Sequence, residues 1–129
     1  MVGTWLVRDQ SGAELGTTTL TLAAGQCVIE ERFVGKNGYS LISLLYFDRF
    51  IGTWFRTQMD NATNAIRVGG RLSGTDLQLN GVVPTRGTTG TPVRLRWDLS
   101  DVTQPIPRWE ALRGGTWNSL ATLFWTRLS

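Results

Sequence analysis

The clearest pattern along the chain is a two-residue alternation. In Val93-Arg94-Leu95-Arg96-Trp97-Asp98-Leu99, valine, leucine, tryptophan and leucine fall on one side and the charged residues on the other. An extended strand sends successive side chains to opposite faces, so this segment predicts a strand with one dry and one wet face. Cys27-Val28-Ile29-Glu30-Glu31-Arg32-Phe33 alternates more loosely and groups Cys27, Ile29, Glu31 and Phe33 together. Leu41 to Phe47 is almost continuously apolar, which predicts burial on both faces or under a covering loop. Leu120 to Arg127 is apolar on both faces over part of its length. A helical stripe at i, i+3, i+4 and i+7, free of glycine, is found nowhere, so little or no helix is expected.

Turn residues punctuate this pattern at short intervals. They fall at Gln10-Ser11-Gly12, Ala24-Gly25, Gly35-Lys36-Asn37-Gly38, Phe50-Ile51-Gly52, Asn61-Ala62-Thr63-Asn64, Ser73-Gly74, Gly87-Thr88-Thr89-Gly90, Thr103-Gln104-Pro105 and Gly114-Gly115. They divide the chain into about ten strands joined by tight turns. Short loops without crossover segments predict an up-and-down meander, and a sheet of that many strands removes its edges by rolling shut. The expected fold class is all-β: a closed up-and-down antiparallel β-barrel of about ten strands, one domain over residues 1–129.

Composition narrows the chemistry. With 129 residues, 41% of them hydrophobic, the chain is long enough to bury a core. It contains no histidine, which excludes zinc-histidine sites, histidine-ligated haem and Ser-His-Asp or Cys-His catalysis. The one cysteine, Cys27, excludes an internal disulfide and reads as a small core residue rather than a nucleophile, since no base of the usual kind could activate it. Asp48, Asp60, Asp98 and Asp101 are too scattered for a metal cluster. Gly69-Gly70-Arg71 and Arg113-Gly114-Gly115 lack the strand-to-helix setting of a phosphate loop, so no metal and no cofactor are expected. No apolar run approaches the roughly 20 residues of a spanning helix, and the first residues carry no leader pattern. A cytoplasmic protein without membrane association is expected.

The net charge of +3 rests on 13 basic residues, all arginine except Lys36. They are spread from Arg8 to Arg127 with acidic neighbours, as in Arg8-Asp9, Glu31-Arg32, Asp48-Arg49, Arg96 near Asp98 and Arg108 near Glu110. That is the pattern of salt-laced outer strand faces, and nucleic acid is not an expected partner. A homodimer is left open.

Three triplets echo one another: Gly3-Thr4-Trp5, Gly52-Thr53-Trp54 and Gly115-Thr116-Trp117. Each reads as a turn glycine followed by a ring that folds inward at the start of a strand. The first of them, together with Arg127 near the end of the chain, resembles the lipocalin (calycin) signature, in which a first-strand tryptophan plugs one end of the barrel under a late arginine. Phe47-Asp48, Gly52-Thr53-Trp54, Asp60, Gly69-Gly70, Leu77-Gln78-Leu79-Asn80-Gly81, Gly114-Gly115-Thr116-Trp117 and Trp125-Thr126-Arg127 are similar to a bacterial lipocalin-like family of uncharacterised function. Arg56 and Gln58 stand where that family's pattern has a glutamine and an aromatic, and Arg113 stands where an acidic residue is usual. The resemblance implies a barrel with an interior cavity and carries over no catalytic residues.

Six tryptophans are a heavy aromatic load for this length. Trp54, Trp97 and Trp109, within strands, are candidate walls of a pocket for a small hydrophobic, flat molecule, although plain core packing accounts for any one of them. Trp54, Arg56 and Gln58 share a strand face, and Arg56 is a natural partner for Glu31. If both point inward, Glu31, Arg56, Gln58 and the Tyr46 hydroxyl converge on one cavity, where Glu31 must pair or take up a proton. The opposite face would make Glu31 and Arg56 an ordinary outer ion pair. Three functions stay open. The barrel could carry a small hydrophobic molecule on Trp54, Gln58, Trp97 and Trp109, its polar group orienting a ligand carboxylate or phenol. It could be a cofactor-independent isomerase, cyclase or decarboxylase using Glu31, Tyr46 and Arg56. Or it could be a filled barrel acting as an interaction module.

Overall fold

A computed structural model describes residues 1–84, 87 and 89–129. The strands are β1 (Gly3–Arg8), β2 (Glu14–Ala23), β3 (Val28–Gly35), β4 (Ser40–Asp48), β5 (Thr53–Asp60), β6 (Ala65–Ser73), β7 (Asp76–Val83), β8 (Thr91–Asp98), β9 (Pro107–Arg113), β10 (Thr116–Thr122) and β11 (Phe124–Arg127). The described residues contain no helix. All strands are antiparallel in one sheet ordered β10-β9-β8-β7-β6-β5-β4-β3-β2-β1-β11, so each neighbour in space is a neighbour in sequence until the ends meet. The expected turns separate the strands; the one at Gly87–Gly90 includes Thr88, which lies outside the described residues. The extra strand arises at Leu123, where the last ribbon breaks.

That break is how the barrel shuts. On one edge β10 pairs with β9, and the ladder continues past the break through Leu123 N–H to Pro107 O (3.0 Å) and Trp125 N–H to Pro105 O (3.2 Å). On the other edge β11 pairs with β1, from Trp5 opposite Arg127 to Arg8 opposite Phe124. β1 stops there, so among the described residues the second edge of β10 has no strand partner and the wall is incomplete beside the β1–β2 hairpin. The sheet is thus nearly closed, with its gap at one end.

Alternation decides what lies inside. Trp5 and Val7 of β1, Leu20 of β2, Leu45 of β4, Val68 of β6, Leu77 and Leu79 of β7, Val93, Leu95 and Trp97 of β8, Ala111 of β9 and Trp125 of β11 are buried and form one cluster. Two expectations about the wall are corrected. Leu41 to Phe47 is not covered on both faces: Leu44, on the outer face, is 40% exposed, and Phe47, of inward parity but at the end of β4, is 47% exposed. Among the described residues no second layer lies over the outer face of this single rolled sheet, and its apolar groups pack sideways instead, as Tyr46 does on Phe55 (5.8 Å between rings). Cys27 is exposed, because β3 begins only at Val28 and Cys27 sits in the preceding turn.

The outer charges do pair, but with different partners. Arg32 bonds Glu30 (2.8 Å) and Arg94 bonds Glu110 across strands (2.8 Å). Adjacent residues of a strand point to opposite faces, so an arginine reaches position i±2 or the next strand and not its sequence neighbour.

Candidate functional site

One end of the barrel is a plug. Trp5 is fully buried, donates its indole N–H to Met1 O (2.9 Å) and lies under the Arg127 guanidinium, 5.2 Å from the ring centroid. Gly3 makes this cover fit: a side-chain carbon there would sit 3.0 Å from the Arg127 guanidinium and 2.6 Å from Ser129 O. Trp125 packs on Trp5 (6.2 Å) and Trp97 meets Trp125 edge-on (5.2 Å). The indole N–H groups of Trp97 and Trp125 have no polar partner among the described residues, consistent with a dry floor built ring on ring.

Above this floor the bore opens into a cavity of about 550 Å³. Trp97, Trp109, Trp125, Leu95, Val93 and Phe33 line its apolar wall, and Glu14, Leu15, Lys36 and Asn37 stand at the mouth beside Leu120 and Ala121. Of the four residues expected to wall the pocket, three do so and one does not. Gln58, Trp97 and Trp109 line the cavity; Trp54 does not. Trp54 follows Thr53 at the start of β5, at the plugged end, where its ring packs on Phe47 (5.3 Å). The third Gly-Thr-Trp ring also departs from expectation. Trp117 is on the outer face under Arg94 (4.1 Å), because the β9–β10 register slips between Ser119 and Ala121 and reverses which residues point inward.

On the polar side of the cavity Glu31 and Arg56 both point inward, with side chains 9% and 7% exposed. They lie on β3 and β5, with β4 between them, and the residue opposite Glu31 on β4 is Ser43. So small a side chain lets the guanidinium cross the strand: Arg56 Nη2 donates to Glu31 Oε1 at 2.7 Å. Ser43 Oγ donates to the same oxygen (3.0 Å) and Thr18 Oγ1 to Oε2 (2.7 Å). The carboxylate is thereby paired and its two oxygens engaged, which is what burial of a charge requires. Arg56 Nη1 also donates to Gln58 Oε1, and the guanidinium faces the Trp109 ring at 5.5 Å.

Tyr46 does not join this group. Inward positions on β4 are Ser43 and Leu45, and Tyr46 has the opposite parity, on the outer face against Phe55. The phenol that does line the cavity is Tyr39, in the β3–β4 connection. It donates to Asp60 Oδ2 (2.9 Å), and burial, followed by that carboxylate, pushes its pKa up to about 12. Lys36 and Glu14 form an ion pair at the mouth (2.6 Å), which holds the Glu14 carboxyl below its usual range. Thr18, Ser43, Tyr39 and Trp125 escaped the sequence reading. Pairing β4 with β3 from Glu31 finds Ser43, and Thr18 lies one inward position along β2 from Leu20, the residue opposite Glu31; Tyr39 in its turn and Trp125 beyond the break carry no alternation signal.

No family model and no curated protein matches the chain.

Proposed function

We propose that this barrel binds a small hydrophobic molecule, with a flat aromatic body, in its interior. The observation that carries the reading is the cavity: about 550 Å³, walled by Trp97, Trp109 and Trp125 with one cluster of polar groups. Ligand pockets typically enclose roughly 300–1,000 Å³ and combine an apolar wall with a few fixed polar groups. The lipocalin-like resemblance points the same way, and the Trp5–Arg127 plug opposite a cavity supports it. The acid–base alternative has less to work with. Tyr46 is outside, Glu31 is tied by three donors, and Tyr39 stays protonated at neutral pH.

The neutral probe N-phenylnaphthylamine tests the reading. Uptake should brighten the probe with energy transfer from tryptophan. Ala121→Trp, which places an indole at the cavity wall, should weaken uptake at least tenfold while circular dichroism stays that of the parent. Equal uptake by both proteins would remove the interior as the site.

A further inference from the structure

The polar wall of the cavity is unequal in its hydrogen-bonding capacity, and this defines the ligand more closely than size does. Among the described residues its carboxylate and amide oxygens already accept hydrogen bonds, and the Tyr39 hydroxyl spends its proton on Asp60. Glu31 receives Thr18, Ser43 and Arg56; Gln58 Oε1 receives Arg56; Asn37 Oδ1 receives the Tyr39 backbone N–H (3.1 Å). The donors are not used up. Gln58 must turn its oxygen to the guanidinium, since the flipped amide would set N–H against N–H, and this leaves its NH₂ without a partner among the described residues. Arg56 spends one N–H on Glu31 and one on Gln58 and has five in all. The Trp109 indole beneath it is a donor too.

Charge adds a second restriction. The two cations that line the cavity are both matched, Arg56 by Glu31 at 2.7 Å and Lys36 by Glu14 at 2.6 Å. An anionic ligand would therefore enter a neutral, low-dielectric site without a spare counter-charge, at a desolvation cost that no unpaired cation offsets. The reading that leaves a ligand carboxylate or phenol open is thereby narrowed to a neutral group.

We infer that the cavity takes a neutral aromatic carbonyl compound, an aryl ketone or quinone, whose oxygen accepts from the Gln58 amide and the Arg56 guanidinium while its ring system lies among Trp97 and Trp109. This rests on the carrier reading above and specifies its ligand. The interaction is a donor wall meeting an acceptor oxygen, so it needs no proton transfer and no covalent step.

The test uses four naphthalenes of nearly one shape: the methyl ketone, the isopropenyl hydrocarbon, the carboxylate and the hydroxymethyl alcohol, titrated by tryptophan fluorescence. In the parent protein the ketone should bind more tightly than the carboxylate. In Gln58→Glu, which keeps an oxygen for Arg56 but replaces the NH₂ by an acceptor, the ketone-to-hydrocarbon affinity ratio should fall about fivefold, and the alcohol should gain on the ketone. Gln58→Leu carries the same test if the added charge disturbs the fold; there the ratio falls and the hydrocarbon's affinity holds. A ratio unmoved in both variants, or a carboxylate that binds more tightly than the ketone, overturns the inference and leaves the carrier reading standing. If none of the four binds, both fall together.

Discussion

At the plugged end of the barrel Trp5, Trp125 and Trp97 fill the bore ring against ring, whereas at the open end Glu31, Arg56, Gln58 and Tyr39 stand around empty volume. Alternation aims both inward, the plug from β1, β8 and β11 and the charges from β3 and β5, and Glu31 and Arg56 are nearly as hidden from solvent as the indoles. The difference is in what holds them. Rings are kept by contact and by water exclusion, which no single partner supplies. The polar cluster is kept by matched hydrogen bonds, so its stability depends on every partner being present. A plug can tolerate no void, while a cluster can be exchanged as a set.

The largest effect should come from breaking the plug. Trp5→Ala removes a fully buried indole and strips Arg127 of the ring beneath it. A loss of about 3–5 kcal/mol is expected, measured by urea unfolding. A loss under about 1 kcal/mol would mean that Trp97 and Trp125 seal that end unaided, and the contrast between the two ends would vanish.

Breaking the cluster should cost a comparable or slightly smaller amount, but reversibly. Glu31→Leu leaves the Arg56 charge buried without its partner and should destabilise by about 3–5 kcal/mol. Replacing both, as Glu31→Leu with Arg56→Met, should recover most of that, leaving about 1–2 kcal/mol for the Thr18 and Ser43 hydroxyls that lose their acceptor. Urea unfolding of the three proteins checks it. A double variant no better than the single one would show that the cluster, like the plug, is held by shape.

The sequence carried the architecture further than the site, and the reason is periodicity. Val93 to Leu99 announces its faces because both sides obey the alternation over seven residues, and the turns are marked by glycine, asparagine and proline. Register between strands leaves no such mark. The slip between Ser119 and Ala121 puts Trp117 outside although its triplet matches those of Trp5 and Trp54. Chemistry groups Tyr46 with Glu31, yet one position of parity sends it to the outer face against Phe55 while Ser43, a residue without any signal of its own, sits between the two charges. The ion pair itself was legible as a pairing of residue types. That it faces inward depends on whether a bulge intervenes, which only the folded ladder shows.

The mildest prediction concerns the rim, where Tyr39 joins the two kinds of holding. Its ring is half-buried against Phe33 (6.2 Å) and its hydroxyl donates to Asp60. Burial and the neighbouring carboxylate favour the protonated phenol, so its pKa rises from 10.0 to about 12 on folding. For a group whose folded pKa lies above its unfolded one, the native state binds more protons in the interval between them, and stability must fall as pH rises through it. The contribution is therefore complete below pH 10 and lost by about pH 12. Tyr39→Phe lacks it at every pH. The parent should be the more stable protein at pH 9, with the gap in urea midpoint closing as the pH approaches 12. A gap that stays constant across that range would place the hydroxyl in free exchange with solvent, and the rim would then be held by the ring contact alone.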